Sequence, residues 1–341
     1  MAGRGTRATA TDFNNIQSTV SSVMGLGSGQ TGYGQAVASS PVAAGSVIST
    51  TQWTNIRSDM SKARQHQTNV AVVDGPASVS ANRGSPFQTL QVVTSSTTIS
   101  EDIRDQYNQF STGTSADKAL ANTGQLSAAT APSGITNPIS RAGTWGGASQ
   151  AQSLSHSFTL TFAGYTQGSL TVSAADHARC FFNAGGSVYI TSSRSGTAAT
   201  TKDTDWTNML TGFNTLNFAG TSTSLISGSV NAGGTISSGT GFHSLTIGAA
   251  GTTVLSQSSS VSVYAENRYL VSVSRPTAST LTFTITWQDN DIGDDTTPSD
   301  AFVNRVDESV TGSINSNLFV RRPNTANVDV PAPTATATAI A

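Results

Sequence analysis

Apolar residues near the amino end fall at intervals of three or four. Phe13, Ile16, Val20 and Val23 or Met24 line one face of a helix. Trp53, Ile56, Met60 and Ala63 repeat the spacing, and the likeness extends to the residues themselves. FNNIQSTVS (13–21) and WTNIRSDMS (53–61) share an aromatic, Asn, Ile, Ser, an aliphatic and a closing Ser. Asp12 and the run Ser49-Thr50-Thr51 offer N-cap oxygens, while Gly25 and the glycine-rich GLGSGQTGYG stop the first helix. SEDIRDQYNQF (100–110) predicts a third helix, capped by Ser100, with Ile103, Tyr107 and Phe110 on one side. Short helices with single apolar stripes need each other or a neighbouring subunit. Phe13, Ile16, Val20, Trp53, Ile56, Met60, Ile103 and Tyr107 are therefore the expected oligomer or attachment contacts.

From about residue 153 the period changes to two. SHSFTLTFAGY, GSLTVSA, SVYIT, SLTIG, SSVSVYA, RYLVSVSRP and TLTFTITWQ alternate apolar with hydroxyl-bearing positions between Gly, Asn, Ser and Asp turns. That pattern suits antiparallel sheets with one face on a core. DTDWTNMLTGF interrupts as a helix, with Asp205 as cap and Trp206, Met209, Leu210 and Phe213 on a face. In DHARCFFNAGGSVYI (176–190), Asn183-Ala184-Gly185-Gly186 predicts the tight turn of a hairpin. The expected fold is mainly β: short N-terminal α-helices, then an antiparallel, jelly-roll-like β-sandwich and an extended C-terminal tail. The expected boundaries are a helical attachment region at 1–111, a Gly/Ala/Ser-rich linker at 112–150, the sandwich at 151–322 and the tail at 323–341, disordered or laid along a partner's sheet.

Composition narrows the chemistry. Charged residues are 11% of the 341, against roughly 25% in an ordinary soluble domain, while Ser and Thr together make about three residues in ten. With 17 basic and 19 acidic residues there is no basic stripe for nucleic-acid phosphates. One cysteine precludes an internal disulfide, which fits assembly in a reducing cytoplasm. No apolar run reaches the length of a membrane span, and no secretory signal opens the chain.

Cys180 and His177 would be a reactive pair only if they faced each other, and in the hairpin they fall on opposite faces, so Cys180 reads as a small core residue. The acidic run WQDNDIGDDTTPSD gathers Asp289, Asp291, Asp294, Asp295 and Asp300, the first four a weak calcium candidate against a plain solvated loop; its glycine is one place early for a helix-loop-helix calcium loop and no closing Glu follows. GLGSGQTGYG lacks the Gly-Lys-Ser/Thr ending of a phosphate loop. Trp145, Trp206 and Trp287 serve either as core aromatics or as platforms for sugars. No catalytic residue and no cofactor site is expected.

Several separated segments carry a family likeness. GYGQ (32–35), QWTNIRSDMSKARQHQ (52–67), ARCFFNAGGSVYITSSRSG (178–196), SVYAENRYLVSVSR (262–275) and ESVTGSINSNLFVRRPNTANVDVPAP (308–333) occur in that order. Together they resemble a group of virion structural proteins of marine and cyanobacterial tailed phages. The resemblance implies a non-enzymatic virion component, a neck, collar or tail-fibre appendage assembled in the host cytoplasm. Its expected partners are further copies of itself, with a homotrimer leading, and other neck or tail proteins. Alternatives are a receptor-binding module for a host-surface glycan and a capsid decoration protein.

Overall fold

The computed structural model describes residues 9–69, 123–147, 152–231, 233–261, 264–290 and 308–340. It is mainly β with antiparallel sheets and short N-terminal helices. The chain divides into two compact units, both assembled from segments distant in sequence.

The first unit comprises residues 1–127, 164–185 and 322–331. Helix α1 (Ala10–Met24) opens on a capping box in which the Thr9 hydroxyl accepts from the Asp12 amide and the Asp12 carboxylate accepts from the Thr9 amide. Asp12 thus sits one turn inside the helix instead of capping it. Helix α2 (Thr50–Thr68) opens on the equivalent box of Ser49 and Gln52, as its sequence suggests, and closes on Asn69 in the left-handed region. The repeated aromatics meet each other: Phe13 and Trp53 pack edge to face with ring centroids 5.1 Å apart.

This contact corrects the expectation of subunit contacts. Phe13, Ile16, Val20, Trp53, Ile56 and Met60 are all buried within the single chain. Their stripes need no second copy to be covered. The predicted helix at 100–110, with Ile103 and Tyr107, lies outside the described residues. Among the described residues this unit also holds a two-stranded hairpin, β3 (Tyr165–Gln167) and β4 (Leu170–Val172), and helix α3 (Ala174–Asn183).

Helix α3 overturns the hairpin read at 176–190. The Ser173 hydroxyl accepts from the Asp176 amide as N-cap, and His177, Ala178, Phe181 and Phe182 are buried around the helix. The Asn-Ala-Gly-Gly run, taken for a strand-to-strand turn, ends a helix and leads into a strand.

The second unit comprises residues 128–163, 186–321 and 332–341, and two antiparallel sheets build it. One has the order β1-β12-β5-β6-β7: β1 (Ile139–Ala142), β5 (Ser187–Ser195), β6 (Leu216–Phe218), β7 (Thr223–Leu225) and β12 (Ser313–Arg321). The other runs β13-β2-β11-β10-β9-β8: β2 (Ser153–Thr161), β8 (Thr235–Ile236), β9 (Thr252–Ser258), β10 (Arg268–Thr277), β11 (Thr280–Gln288) and β13 (Thr334–Ile340). Period-two burial is clearest in β2, which turns Leu154, His156, Phe158 and Leu160 inward, and in β11, which turns Leu281, Phe283, Ile285 and Trp287 inward. Phe218 of one sheet meets Phe283 of the other at 5.3 Å, so the inner faces form the core of a sandwich.

Helix α4 (Thr201–Phe213) is capped by the Thr200 hydroxyl, which accepts from the Asp203 amide; Asp205 lies inside the helix. Phe213 near its end stacks on Tyr269 of β10 at 4.8 Å. Residues 128–147, read as linker, are built into this unit through β1, which pairs with β12. The Thr/Ala-rich end of the chain forms the edge strand β13, paired along β2 of the same chain from Thr334–Thr161 to Ile340–Ser155. SLTIG is not a strand, whereas TTVLSQS and SINSNLFVR are; SSVSVYA falls partly outside the described residues.

Because the α1–α2 contact closes within one chain, Trp53→Ala is expected to lower unfolding stability by about 3–5 kcal/mol and to leave the mass in solution unchanged. Denaturant unfolding and light scattering on the same samples check both.

Candidate functional site

Two polar constellations stand out, one in each unit. In the first, the loop after α1 is held from α3. The Arg179 guanidinium donates to the carbonyls of Thr31 at 2.6 Å and Leu26 at 2.7 Å, and is itself paired with Asp176 at 2.9 Å. The Asn183 amide donates to the carbonyls of Gly29, Thr31 and Gly32. The Gln35 side chain bridges the backbone of Asp329, donating to its carbonyl at 2.9 Å and accepting from its amide at 3.2 Å. Gly34 has φ +68, and a Cβ there would collide with the Tyr165 hydroxyl and lie 3.2 Å from Cys180 Sγ. The carbonyls of the glycine-rich loop are taken up by Arg179 and Asn183.

Cys180 and His177 sit three residues apart on a helix, so they share a side of it, contrary to the extended geometry expected for them. Burial nevertheless pushes the Cys180 thiol up to about 11, with Arg179 opposing and Asp176 adding to the rise. A thiol held so high carries little thiolate at neutral pH. The His177 ring is engaged by the Pro331 carbonyl at 2.9 Å. His66 likewise meets the Ala184 carbonyl at 3.0 Å, and its desolvation lowers its pKa to about 4.

The second constellation surrounds the start of α4. Lys202 and Asp289 are buried, and the Lys202 ammonium donates to both carboxylate oxygens at 3.1 and 3.2 Å. The Gly147 amide donates to Asp289 Oδ2 at 3.0 Å. Gly146 has φ +64, and a Cβ there would collide with the same carboxylate. Beside this pair, Arg194 meets Asp203 at 2.8 Å, both side chains almost fully enclosed. Burial alone would raise the Asp203 carboxyl, but hydrogen bonds from the Thr311 hydroxyl and amide and from the Ala199 amide, with the Arg194 charge, hold it below the usual range. Glu308 accepts from the Thr201 and Tyr264 hydroxyls and from the Lys202 amide.

A third thread crosses the sandwich core. His156 of β2, Ser316 of β12, Ser192 of β5 and Tyr269 of β10 are linked in turn at 3.1, 3.1 and 2.8 Å. His156 also packs edge-on against Trp287 at 4.8 Å, and its desolvation lowers its pKa to about 4. A histidine beside a serine evokes acyl-transfer chemistry, but all four side chains are buried in this core.

The structure therefore redistributes the expected site residues. Asp289 is not an open calcium ligand, because it is enclosed and neutralised by Lys202. Asp291, Asp294 and Asp295 lie outside the described residues. Among the described residues no group of three His, Cys, Asp or Glu is placed to hold a metal, and no helix is long and apolar enough to cross a membrane. Trp145, Trp206 and Trp287 are buried, the first two edge to face at 5.0 Å, so they offer no platform to a sugar. Sequence reading missed the Lys202–Asp289 and Arg194–Asp203 pairs; the only hint was a lysine inside an otherwise apolar helix face. Comparison with protein-family models, with curated proteins and with solved structures finds no match.

Three outcomes follow from this geometry. Gly34→Ala is expected to cost about 2–3 kcal/mol through left-handed strain and collision, read by thermal unfolding. Asp203→Ala leaves Arg194 buried without its partner and is expected to cost about 3–5 kcal/mol in the same assay.

The third concerns acid. Unfolding returns His66 and His156 to their ordinary value near 6.5. Between that pH and their folded value of about 4, the unfolded chain binds protons that the folded chain refuses. The stability they contribute is complete above pH 6.5 and is lost as pH falls toward 4. The Asp205 carboxyl, raised by burial, acts in the opposite sense. Urea midpoints measured from pH 7 to 4.5 should fall, and the fall should be shallower in His156→Gln than in the parent.

Proposed function

We propose that this chain is a non-enzymatic structural component of a tailed-phage virion, a neck, collar or tail-fibre appendage assembled in the host cytoplasm. The observation that carries this reading is how the polar chemistry is used. Arg179, Asn183, Gln35, Lys202 and Asp289 each fasten segments far apart in sequence, and Arg194 and Asp203 do so through Thr311. A part that transmits load through a particle needs such cross-bracing more than it needs a cleft.

The family resemblance points the same way. The residues that carry it include GYGQ and ARCFFNAGG, whose Gln35, Arg179 and Asn183 do the fastening. Further copies of the chain and other neck or tail proteins are the proposed partners. A trimer draws no support from Phe13, Ile16, Val20, Trp53, Ile56 or Met60, which are covered within the chain.

Gold-labelled antibody against the purified chain, applied to intact particles of a phage encoding it, tests the proposal. Label confined to the head–tail junction or to fibres is expected. Label spread over the head would make it a decoration protein, and absence of the chain from purified particles would overturn the virion reading altogether.

A further inference from the structure

Lys202 and Asp289 are a buried amine and a buried carboxyl held face to face. The Nζ atom lies 3.1 and 3.2 Å from the two carboxylate oxygens, which sets it against the carboxyl carbon between them. Neither group can drift. The Lys202 amide donates to Glu308, and the Asp289 amide donates to the Gln152 carbonyl at 2.8 Å. The Tyr264 ring covers the ammonium at 5.9 Å, and both side chains are within 1% of complete enclosure.

Enclosure changes the chemistry of such a pair. Two charges out of water bear a desolvation cost that their attraction offsets only in part. For the pair to react, one ammonium proton must first pass to the facing carboxylate, which leaves a neutral amine and a neutral acid in contact. A neutral amine is a nucleophile, and held proximity removes the entropic barrier to its attack. The Gly147 amide at 3.0 Å from Oδ2 is placed to stabilise the oxygen that becomes negative in a tetrahedral adduct.

From this geometry we propose that Lys202 and Asp289 condense spontaneously into an intramolecular amide cross-link. The nitrogen lone pair attacks the Asp289 carboxyl carbon, forming the C–N bond. Of the three ammonium protons, one stays on nitrogen, and two leave with Oδ1 as water. Both charges vanish, no oxidant or external reactant is needed, and Oδ2 remains as the amide oxygen on the Gly147 N–H. The link joins the start of α4 to the residue after β11 and closes the stretch from Lys202 to Asp289 into a loop within the second unit. It is independent of the virion reading, since it requires only that the chain fold.

Intact-mass measurement tests it. Full-length chain purified as a folded, cooperatively melting species is denatured and weighed. The expected mass is about 18 Da below that of the sequence, and fragmentation of a tryptic digest should show one branched peptide carrying both residues. Lys202→Arg keeps the positive charge but not the amine, and should weigh its full sequence mass whether or not it folds. Full mass for the folded parent chain, or a deficit that persists in Lys202→Arg, would overturn the proposal.

Discussion

A charge moved from water into a protein interior is strongly destabilising unless it is paired and hydrogen-bonded. This chain carries unusually few charges, yet Arg194, Lys202, Asp203 and Asp289 are all enclosed as it folds, Lys202 and Asp289 as the charged pair from which the proposed amide forms. Because each requires a complete set of partners, they dictate where irregular backbone must run. Asp203 fixes Ala199 and Thr311, and Asp289 fixes Gly147. The start of α4, the turn after β1 and the approach to β12 are thereby tied to two carboxylates. Hydrophobic alternation builds the two sheets, and these pairs join the segments that no ladder reaches.

The same logic operates in the first unit with one charged and two neutral donors. Arg179, Asn183 and Gln35 satisfy carbonyls and amides in the glycine-rich loop and in residues 322–331, which are neither helix nor strand. Motifs that look like signatures of function are in this sense signatures of architecture. GYGQ is constrained because Gly34 needs a positive φ beneath Tyr165 and Cys180, and because Gln35 holds Asp329.

What the sequence revealed followed physical simplicity. β2, β10 and β11 were legible because their inward residues are almost all apolar, β5 only through Val188 and Ile190 because Ser192 and Arg194 follow them inward, and α1 and α2 because their stripes and caps agree. β12 hid behind Ser316, an inward polar residue tolerated only because His156 and Ser192 bond it. In β9 a register irregularity opposite Val271 and Ser272 breaks the alternation, so TTVLSQS carried no clear period. Helix α3 was lost to a competing signal: Asn-Ala-Gly-Gly reads as a hairpin turn unless Ser173 and Asp176 are recognised as the start of a helix. The buried ion pairs were not legible, since their partners lie from 9 to 87 positions apart and no periodicity links them. Nor could the stripes on α1 and α2 show whether each would be met by the other or by a second copy.

Amide hydrogen exchange on the intact chain probes the buried-charge account most directly. Ala199, Gly147 and Thr311 lie outside the regular strands and helices, and surface loops of that kind exchange quickly. If their N–H groups are the donors that keep Asp203 and Asp289 paired, they should exchange as slowly as the central residues of β11 and β12. Exchange at the rate of an open loop would mean that those carboxylates are not held from within, and the account would fail.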